Sequence, residues 1–301
     1  MGLWLSYSGY SQYKKCAKQY YLQRVKKETP PEKDSRHNAI IGSVVQHVFE
    51  DFYNKELWRK GAQTSEMLLQ LAENYLWEYV ETEYVDFDDP RCRFSGPSEV
   101  LDEIIDMVPK VLQGIKREKF LGPYSKSEID IKVRFGQEDF LCGYIDFVIR
   151  KADDSILLLD GKASKHRDKY VDETQLYFYA LMFYLRYKKL PDKMGFFYYS
   201  FADDPELAMD WLEVDPAKIR DLRKDIEDVM WEIKQNKKKR LDFPANPVAK
   251  NCQWCQWEAQ CGERQAQKAV NRAKRVSKKP KIDMDFGDKA TTVIGFDAIK
   301  K

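Results

Sequence analysis

An α/β fold, with a mixed central sheet flanked by helices, a large helical insertion and a C-terminal cysteine knot, follows from three features of the sequence. Helical periodicity dominates the chain from Tyr10 to Lys119. The period then drops to two between Ile129 and Phe135, as in a half-buried strand. Near the C-terminus, Cys252, Cys255 and Cys261 form a C-x2-C-x5-C group.

Ser6 or Ser8 caps a first helix running to about Arg24, in which Tyr10, Tyr13, Ala17 and Tyr20 or Tyr21 recur at helical spacing and Cys16 lies within the helix. A basic, proline-containing loop, Lys26 to Lys33, leads to a second helix that buries Val44, Val45, Val48, Phe49 and Phe52 and carries His47 on its face. Two further helical patterns, about Thr64 to Tyr84 and Ser98 to Lys119, make residues 55–126 a helical arm or lid following an N-terminal unit, 1–54. Ile129, Ile131, Val133 and Phe135 alternate with Glu128, Asp130, Lys132 and Arg134, which favours a solvent face for Glu128 over the alternative of an additional acid near a metal. The turn Gly136 to Asp139 opens a second strand, Phe140 to Arg150, with Cys142 expected in the core. Ile156 to Ala163 begins with the continuous apolar run of a central strand. A helix from about Asp172 to Tyr187, strands Met194 to Phe201 and Leu207 to Val214, and a helix from about Pro216 to Lys237 complete a core unit, 127–240. The cysteine segment takes 241–265. Residues 266–301 form a tail with seven basic and no acidic residues between Lys268 and Lys281, then an apolar end at Val293, Ile294, Phe296 and Ile299.

With 301 residues, 43% of them hydrophobic and 14% aromatic, the chain has enough apolar surface for one large core or two modest ones. It contains neither a membrane-length apolar run nor a secretory pattern, so a cytoplasmic location without membrane contact is expected. Lys and Arg exceed Asp and Glu by only two, 51 against 49, so nucleic-acid binding would rest on local patches. Six cysteines in such a chain read as ligands or buried thiols rather than disulfides. Cys252, Cys255 and Cys261 cannot close a four-coordinate site alone, and Cys16 is the best fourth donor. Joining residues 16 and 252 closes a loop at an entropic cost of roughly 5 kcal/mol, so the metal would clamp everything between.

The strands build a second constellation. Asp160 and Lys162, two apart, share a strand face at roughly 6.5 to 7 Å, and Asp146 can sit beside them on the preceding strand. An acid that ends the run Ile156 to Leu159 is expensive to bury unless it binds something. His47 approaches from the helical layer. Oxygen ligands plus one imidazole suit Mg²⁺ or Mn²⁺, and the neighbouring lysine can orient or deprotonate a water for phosphodiester hydrolysis.

The successive segments Gly42 to His47, Gly143 to Asp146, Asp160-Gly161-Lys162 and Gln175 to Tyr179 resemble the motifs of the RecB-like branch of the PD-(D/E)XK nucleases in order and spacing. The resemblance implies a restriction-endonuclease-like core in which His47, Asp146 and Asp160 ligate the metal and Lys162 serves catalysis. It also implies that Gln175 and Tyr179, one helical turn apart, organise the site and contact DNA. One N-terminal cysteine plus a C-terminal C-x2-C-x5-C is similar to the iron-sulfur nucleases of this branch, the AddB nuclease domain, the CRISPR-associated RecB-like exonucleases and phage relatives. That implies a 4Fe-4S cluster on Cys16, Cys252, Cys255 and Cys261, with zinc as the alternative left by ligand chemistry. The D-G-K version departs from the commoner pattern at Gly161, the helical region from about Lys55 to Lys126 is longer than the compact family core needs, and the tail after Gly262 has no counterpart.

The expected function is a metal-dependent DNA exonuclease acting on single-stranded ends in recombination, replication or repair. The alternatives are a structure-selective endonuclease, a CRISPR prespacer-processing nuclease, and a non-catalytic DNA-binding scaffold held by the cluster. Lys268, Arg272, Lys274, Arg275, Lys278, Lys279 and Lys281 form either a phosphate-tracking patch or a solvated linker. The apolar end beyond them is a docking segment for this protein, a second copy, or a partner in recombination, replication or CRISPR adaptation.

Overall fold

The computed structural model describes residues 2–31, 35–122, 124–167, 171–239, 243–253 and 255–277. Six strands form one mixed sheet: β1 (Trp4–Leu5), β2 (Lys126–Phe135), β3 (Asp139–Arg150), β4 (Ile156–Lys162), β5 (Lys193–Tyr198) and β6 (Met209–Leu212), in the order β1-β3-β4-β5-β6 with β2 on the other edge of β3. Strand β2 pairs along nearly the whole of β3, so β1 and β4 share β3's opposite edge. There β1 meets Phe140 and Leu141, and β4 meets Phe147 to Arg150. The chain reverses between β2 and β3 at Gly136, whose φ of 74° lies in the left-handed region that glycine adopts without strain.

Helices cover both faces. On one side lie α1 (Tyr7–Lys15), α2 (Ala17–Tyr20), α6 (Glu173–Tyr187) and α7 (Pro216–Lys239), sharing a core with Leu5, Ile131, Ile145, Leu158 and Phe196. On the other lie α3 (Ile40–Asn54), α4 (Thr64–Thr82) and α5 (Pro97–Arg117), packed with Phe147, Ile149, Leu157, Leu159 and Phe197. Alternate residues of β4 therefore enter opposite cores, which explains its unbroken apolar run. Residues 55–126, expected as an arm or lid, instead supply α4 and α5 of this second layer, with Leu68, Ala72, Leu76, Val100 and Ile104 fully buried.

Helix α1 forms where its sequence predicts it. Ser6 caps it by accepting from the Gly9 N–H at 3.2 Å. Its buried face is tied down by three tyrosine hydroxyls, Tyr7 to Asp172 at 2.6 Å, Tyr10 to Asp225, and Tyr13 to Glu232 at 3.0 Å. Cys16, expected within this helix, breaks it. Its backbone is extended (φ −162°, ψ 104°), α2 restarts at Ala17, and a π-helical turn follows from Tyr21 to Lys26. The break is held from across the chain, since Asn251 Nδ2 donates to the Lys15 carbonyl at 3.0 Å and the Lys18 N–H donates to the Pro244 carbonyl at 3.1 Å.

At the C-terminal end, α8 (Ala249–Cys252) and a short 3-10 turn (Glu258–Gln260) lead into α9 (Gly262–Ser277). The predicted tail boundary at 265/266 thus falls inside a helix, which is fastened back to the cysteine segment through Arg264 and Glu258 at 2.8 Å. Lys278, Lys279, Lys281 and the apolar end at Val293 to Ile299 lie outside the described residues.

Candidate active site

The β3–β4 ladder ends at Phe147↔Leu159. One residue further on each strand stand Asp146 and Asp160, at the mouth of a fork. The β2–β3 ladder is interrupted at the same level: Ser127↔Phe147 and Ile129↔Ile145 pair, whereas Glu128, with a left-handed φ of 51°, lies unpaired opposite Asp146. The apolar residues of β3 also change sides here, Leu141 and Ile145 facing one core and Phe147 and Ile149 the other. Three carboxylates on three adjacent strands therefore stand level with one another where the sheet opens. Irregular backbone next to reactive groups is a common device for re-aiming side chains.

Asp160 is 1% exposed, whereas Asp146 keeps some accessible surface. Asp146 Oδ2 accepts from the Gly161 N–H at 2.9 Å across the fork, and Ser127 Oγ donates to the Asp146 carbonyl at 2.8 Å. Lys162 Nζ lies 2.5 Å from Asp160 Oδ2 as a buried ion pair. The ammonium also donates to Gln175 Oε1 at 3.2 Å, and Gln175 Nε2 donates to Tyr179 Oη at 2.9 Å. Gln175 and Tyr179 thus sit where their spacing predicts, facing β4 from α6.

Burial and the Asp160 charge push the Asp146 carboxyl well above the ordinary carboxylate range. Burial raises Asp160 too, against the opposing pull of Lys162, and raises Glu128, with a further push from Glu50 and Asp160. The cluster reaches the phenols of Tyr179 and Tyr199, both raised first by burial and then by Asp146 and Asp160. Carboxylates outnumber the facing ammonium, so the donor set suits a hard divalent cation.

His47 lies on α3, next to the Gln46 that reaches Glu128. Its Nδ1–H donates to the Ser43 carbonyl at 2.8 Å, and its ring rests 5.5 Å from that of Tyr75. A donor at Nδ1 leaves the neutral ring's lone pair at Nε2, the arrangement usual in ligating histidines. Among the described residues, no three His, Cys, Asp or Glu side chains are gathered closely enough to hold a single metal ion. The structure brings Asp146, Asp160 and Lys162 together at the fork and places His47 on α3, beside the Gln46 that reaches Glu128.

Glu128 is the residue that strand alternation misplaces. It is half-buried and accepts from Gln46 Nε2 at 2.6 Å, while Gln46 Oε1 accepts from Tyr199 Oη at 2.5 Å. The signal was present in the hairpin register, because Glu128 and Asp146 lie nine residues before and after Gln137 in the turn.

Cys16, Cys252, Cys255 and Cys261 line one cavity of about 290 Å³ beside the α1–α2 break, and all six cysteines are free thiols. Burial raises the Cys252 and Cys255 thiols, and Cys16 and Cys261 raise both further. The Asn246 N–H reaches Cys16 Sγ at 3.5 Å. Cys142, expected in the core, is half-buried on the outer face of β3, and Cys92 donates to the Phe94 carbonyl at 3.4 Å.

The sequence model of the PD-(D/E)XK nuclease superfamily matches residues 4–262. No curated protein matches the chain. Among solved structures, the crystal structure of SSO0001 is 12% identical over 75% of this chain and 95% of that one, with a TM-score of 0.30. A "Putative exonuclease" from Eubacterium rectale is 14% identical over 81% of this chain and 84% of that one, with a TM-score of 0.43. Both likenesses are distant, and the assignment stands on the match over residues 4–262.

Proposed function

Because the chain belongs to the PD-(D/E)XK nuclease superfamily, we propose that it is a Mg²⁺- or Mn²⁺-dependent deoxyribonuclease that hydrolyses phosphodiester bonds at single-stranded DNA ends, a chemistry that recombination, replication and repair require. The observation that carries this reading is the level placement of Glu128, Asp146 and Asp160 at the fork beside Lys162. Asp146 and Asp160 would hold the cation, with His47 Nε2 as the further donor. The cation offsets phosphate charge and lowers the pKa of water. Lys162, positioned by Asp160 and Gln175, donates to the attacking water or to a phosphate oxygen. Tyr179 keeps Gln175 on Lys162, and Gln46 keeps Glu128 on the metal side of β2.

Cys16, Cys252, Cys255 and Cys261 share one cavity. Four thiols brought together from both ends of the chain are a ligand set that a 4Fe-4S cluster would use, with zinc as the alternative.

The test is end-labelled linear and circular single strands incubated with Mg²⁺ or Mn²⁺, wild type against Asp160→Ala, with iron and sulfide assayed on the same anaerobic sample. Loss of linear strands with circles intact is expected for the wild type alone. Equal degradation by both proteins removes the catalytic assignment, and cut circles favour an endonuclease.

A further inference from the structure

The outer face of the β2–β3 hairpin is uncovered along most of its length. Helix α3 reaches it at Glu128 and goes no further: Asp130, Lys132 and Arg134 of β2 are exposed, and opposite them Tyr144, Cys142 and Phe140 of β3 form a row. Tyr144 is 54% exposed. At the far end Trp4 of β1, 50% exposed, lies flat on Phe140 with ring centroids 4.4 Å apart and planes 11° from parallel. One face of the indole is thus held rigidly against the sheet, and half of its surface stays open to solvent.

Beside this row, where β1 ends and β3 runs on alone, a groove of about 720 Å³ is lined by Trp4, Cys142, Gln23, Arg24, Lys27 and Lys234, with no acidic residue in its lining. Arg24 is steered into place by Gln12 at 2.8 Å and Ser8 at 3.0 Å, and its charge, like that of Lys132, is felt at Cys142. Rigid aromatic surfaces flanked by cations suit unpaired nucleotides, because every base offers a π-face and every linkage a negative charge. The row also has a destination. From Phe140 to Asp146 is about 20 Å at strand rise, and Tyr144 precedes Asp146 by two residues.

We propose that this face and the groove beside it form a binding track for the unpaired strand of a DNA substrate, with Trp4 and Tyr144 stacking on bases and Arg24, Lys27 and Arg134 pairing with phosphates. The proposal rests on the nuclease reading for its substrate and adds the path by which a single strand reaches the fork. A blunt duplex, whose bases are already stacked on one another, has no use for the aromatic row.

The experiment measures fluorescence anisotropy of a labelled oligothymidylate and of a blunt hairpin duplex in EDTA, so that nothing is cut. Trp4→Ala and Tyr144→Ala each weaken single-strand affinity roughly 5- to 150-fold, with the duplex affinity little changed. Tyr144→Phe retains wild-type affinity. Arg24→Gln and Lys27→Gln each make the slope of log K against log salt shallower by about 0.7. Tyr144 is exposed, so its substitution reports on binding even where Trp4→Ala disturbs β1.

Unchanged single-strand affinity in Tyr144→Ala overturns the proposal. So does a change in oligomeric state by light scattering that replaces the change in DNA affinity, since the face would then cover a second copy. The two readings fail separately. Wild-type protein that binds strands through this face yet cuts no DNA refutes the nuclease, whereas cleavage with unaltered binding in the variants refutes the track.

Discussion

Gly161 is the middle residue of D-G-K, and its missing side chain is filled from across the sheet. A Cβ at this position would stand 1.9 Å from Tyr199 Oη, 2.4 Å from Cζ and 3.0 Å from Cε1. Tyr199 is 1% exposed and cannot swing out to solvent. Its hydroxyl also donates to Gln46, which holds Glu128, so displacing the ring disturbs a chain that ends in the carboxylate cluster. Gly161→Ala is therefore an overpacking substitution costing about 1–3 kcal/mol, plus about 1 kcal/mol for the lost hydrogen bond. At about 2–4 °C per kcal/mol for a chain of this size or slightly smaller, the melting temperature falls by about 4–16 °C. Differential scanning fluorimetry measures it, alongside nuclease activity at a temperature where both proteins are folded. Tyr199→Phe does not rescue, because Cζ still collides, whereas Tyr199→Leu in the Gly161→Ala background recovers stability but not activity. A melting temperature equal to wild type for Gly161→Ala refutes the reasoning, as does full additivity of the two changes in a double-mutant cycle.

Other perturbations test the remaining parts. The raised pKa of Asp146 means that, above the unfolded value of about 3.9, the folded protein retains a proton the unfolded chain releases, so its contribution to stability falls as pH rises through the raised value. In EDTA, Asp146→Asn accordingly melts above wild type near pH 8 and level with it near pH 4, and Mg²⁺ narrows the gap. Glu128→Gln lowers activity or metal affinity by about 10- to 100-fold with the fold intact, read from Mn²⁺ titration of cleavage. Cys16→Ala bleaches the visible absorbance and lowers the melting temperature; a colourless variant of undiminished stability and activity shows that the four cysteines do not clamp the chain. Tyr7→Phe frees the Asp172 cap of α6 and lowers kcat while leaving the iron content unchanged.

Most of the architecture was legible because period and length report which face of an element is buried. The helix predicted from Thr64 begins there, the helix from about Asp172 is capped by that residue, and the strand from Ile156 starts at Ile156. Periodicity does not say against what a face is buried. The apolar stripe of α5 is equally consistent with an arm and with a layer on the sheet, and only the facing row of Phe147, Leu157, Leu159 and Phe197 decides it. The break at Cys16 carries no proline or glycine signal nearby, because its cause is capture by Asn251 and Pro244, far along the chain. Glu128 was misread for a related reason. Alternation assumes regular backbone, and a left-handed residue resets the face of everything around it. The catalytic candidates Asp146, Asp160 and Lys162 were readable because strand position fixes their neighbours, whereas the approach of His47 depends on how α3 sits, which no local pattern encodes.

The cysteine cavity and the fork are joined by one rigid element. Helix α1 ends at the break that carries Cys16 and begins at Tyr7, about 13 Å away at helical rise. Tyr7 donates to Asp172 Oδ2 while Asp172 Oδ1 caps the Thr174 N–H at 3.0 Å and the Asp172 carbonyl receives the Gln175 N–H at 2.9 Å. Burial alone would raise the Asp172 carboxyl, but the donors from Tyr7 and Thr174 hold it below its ordinary value, so the cap stays charged. Gln175 then meets Lys162. On the proposed reading, ordering the thiols about a cluster would fix one end of α1, and the other end fixes the first turn of the helix that positions the lysine. A clamp of that kind, remote from the reacting phosphate, would act on rate through this chain of contacts without contributing a ligand to the proposed catalytic metal.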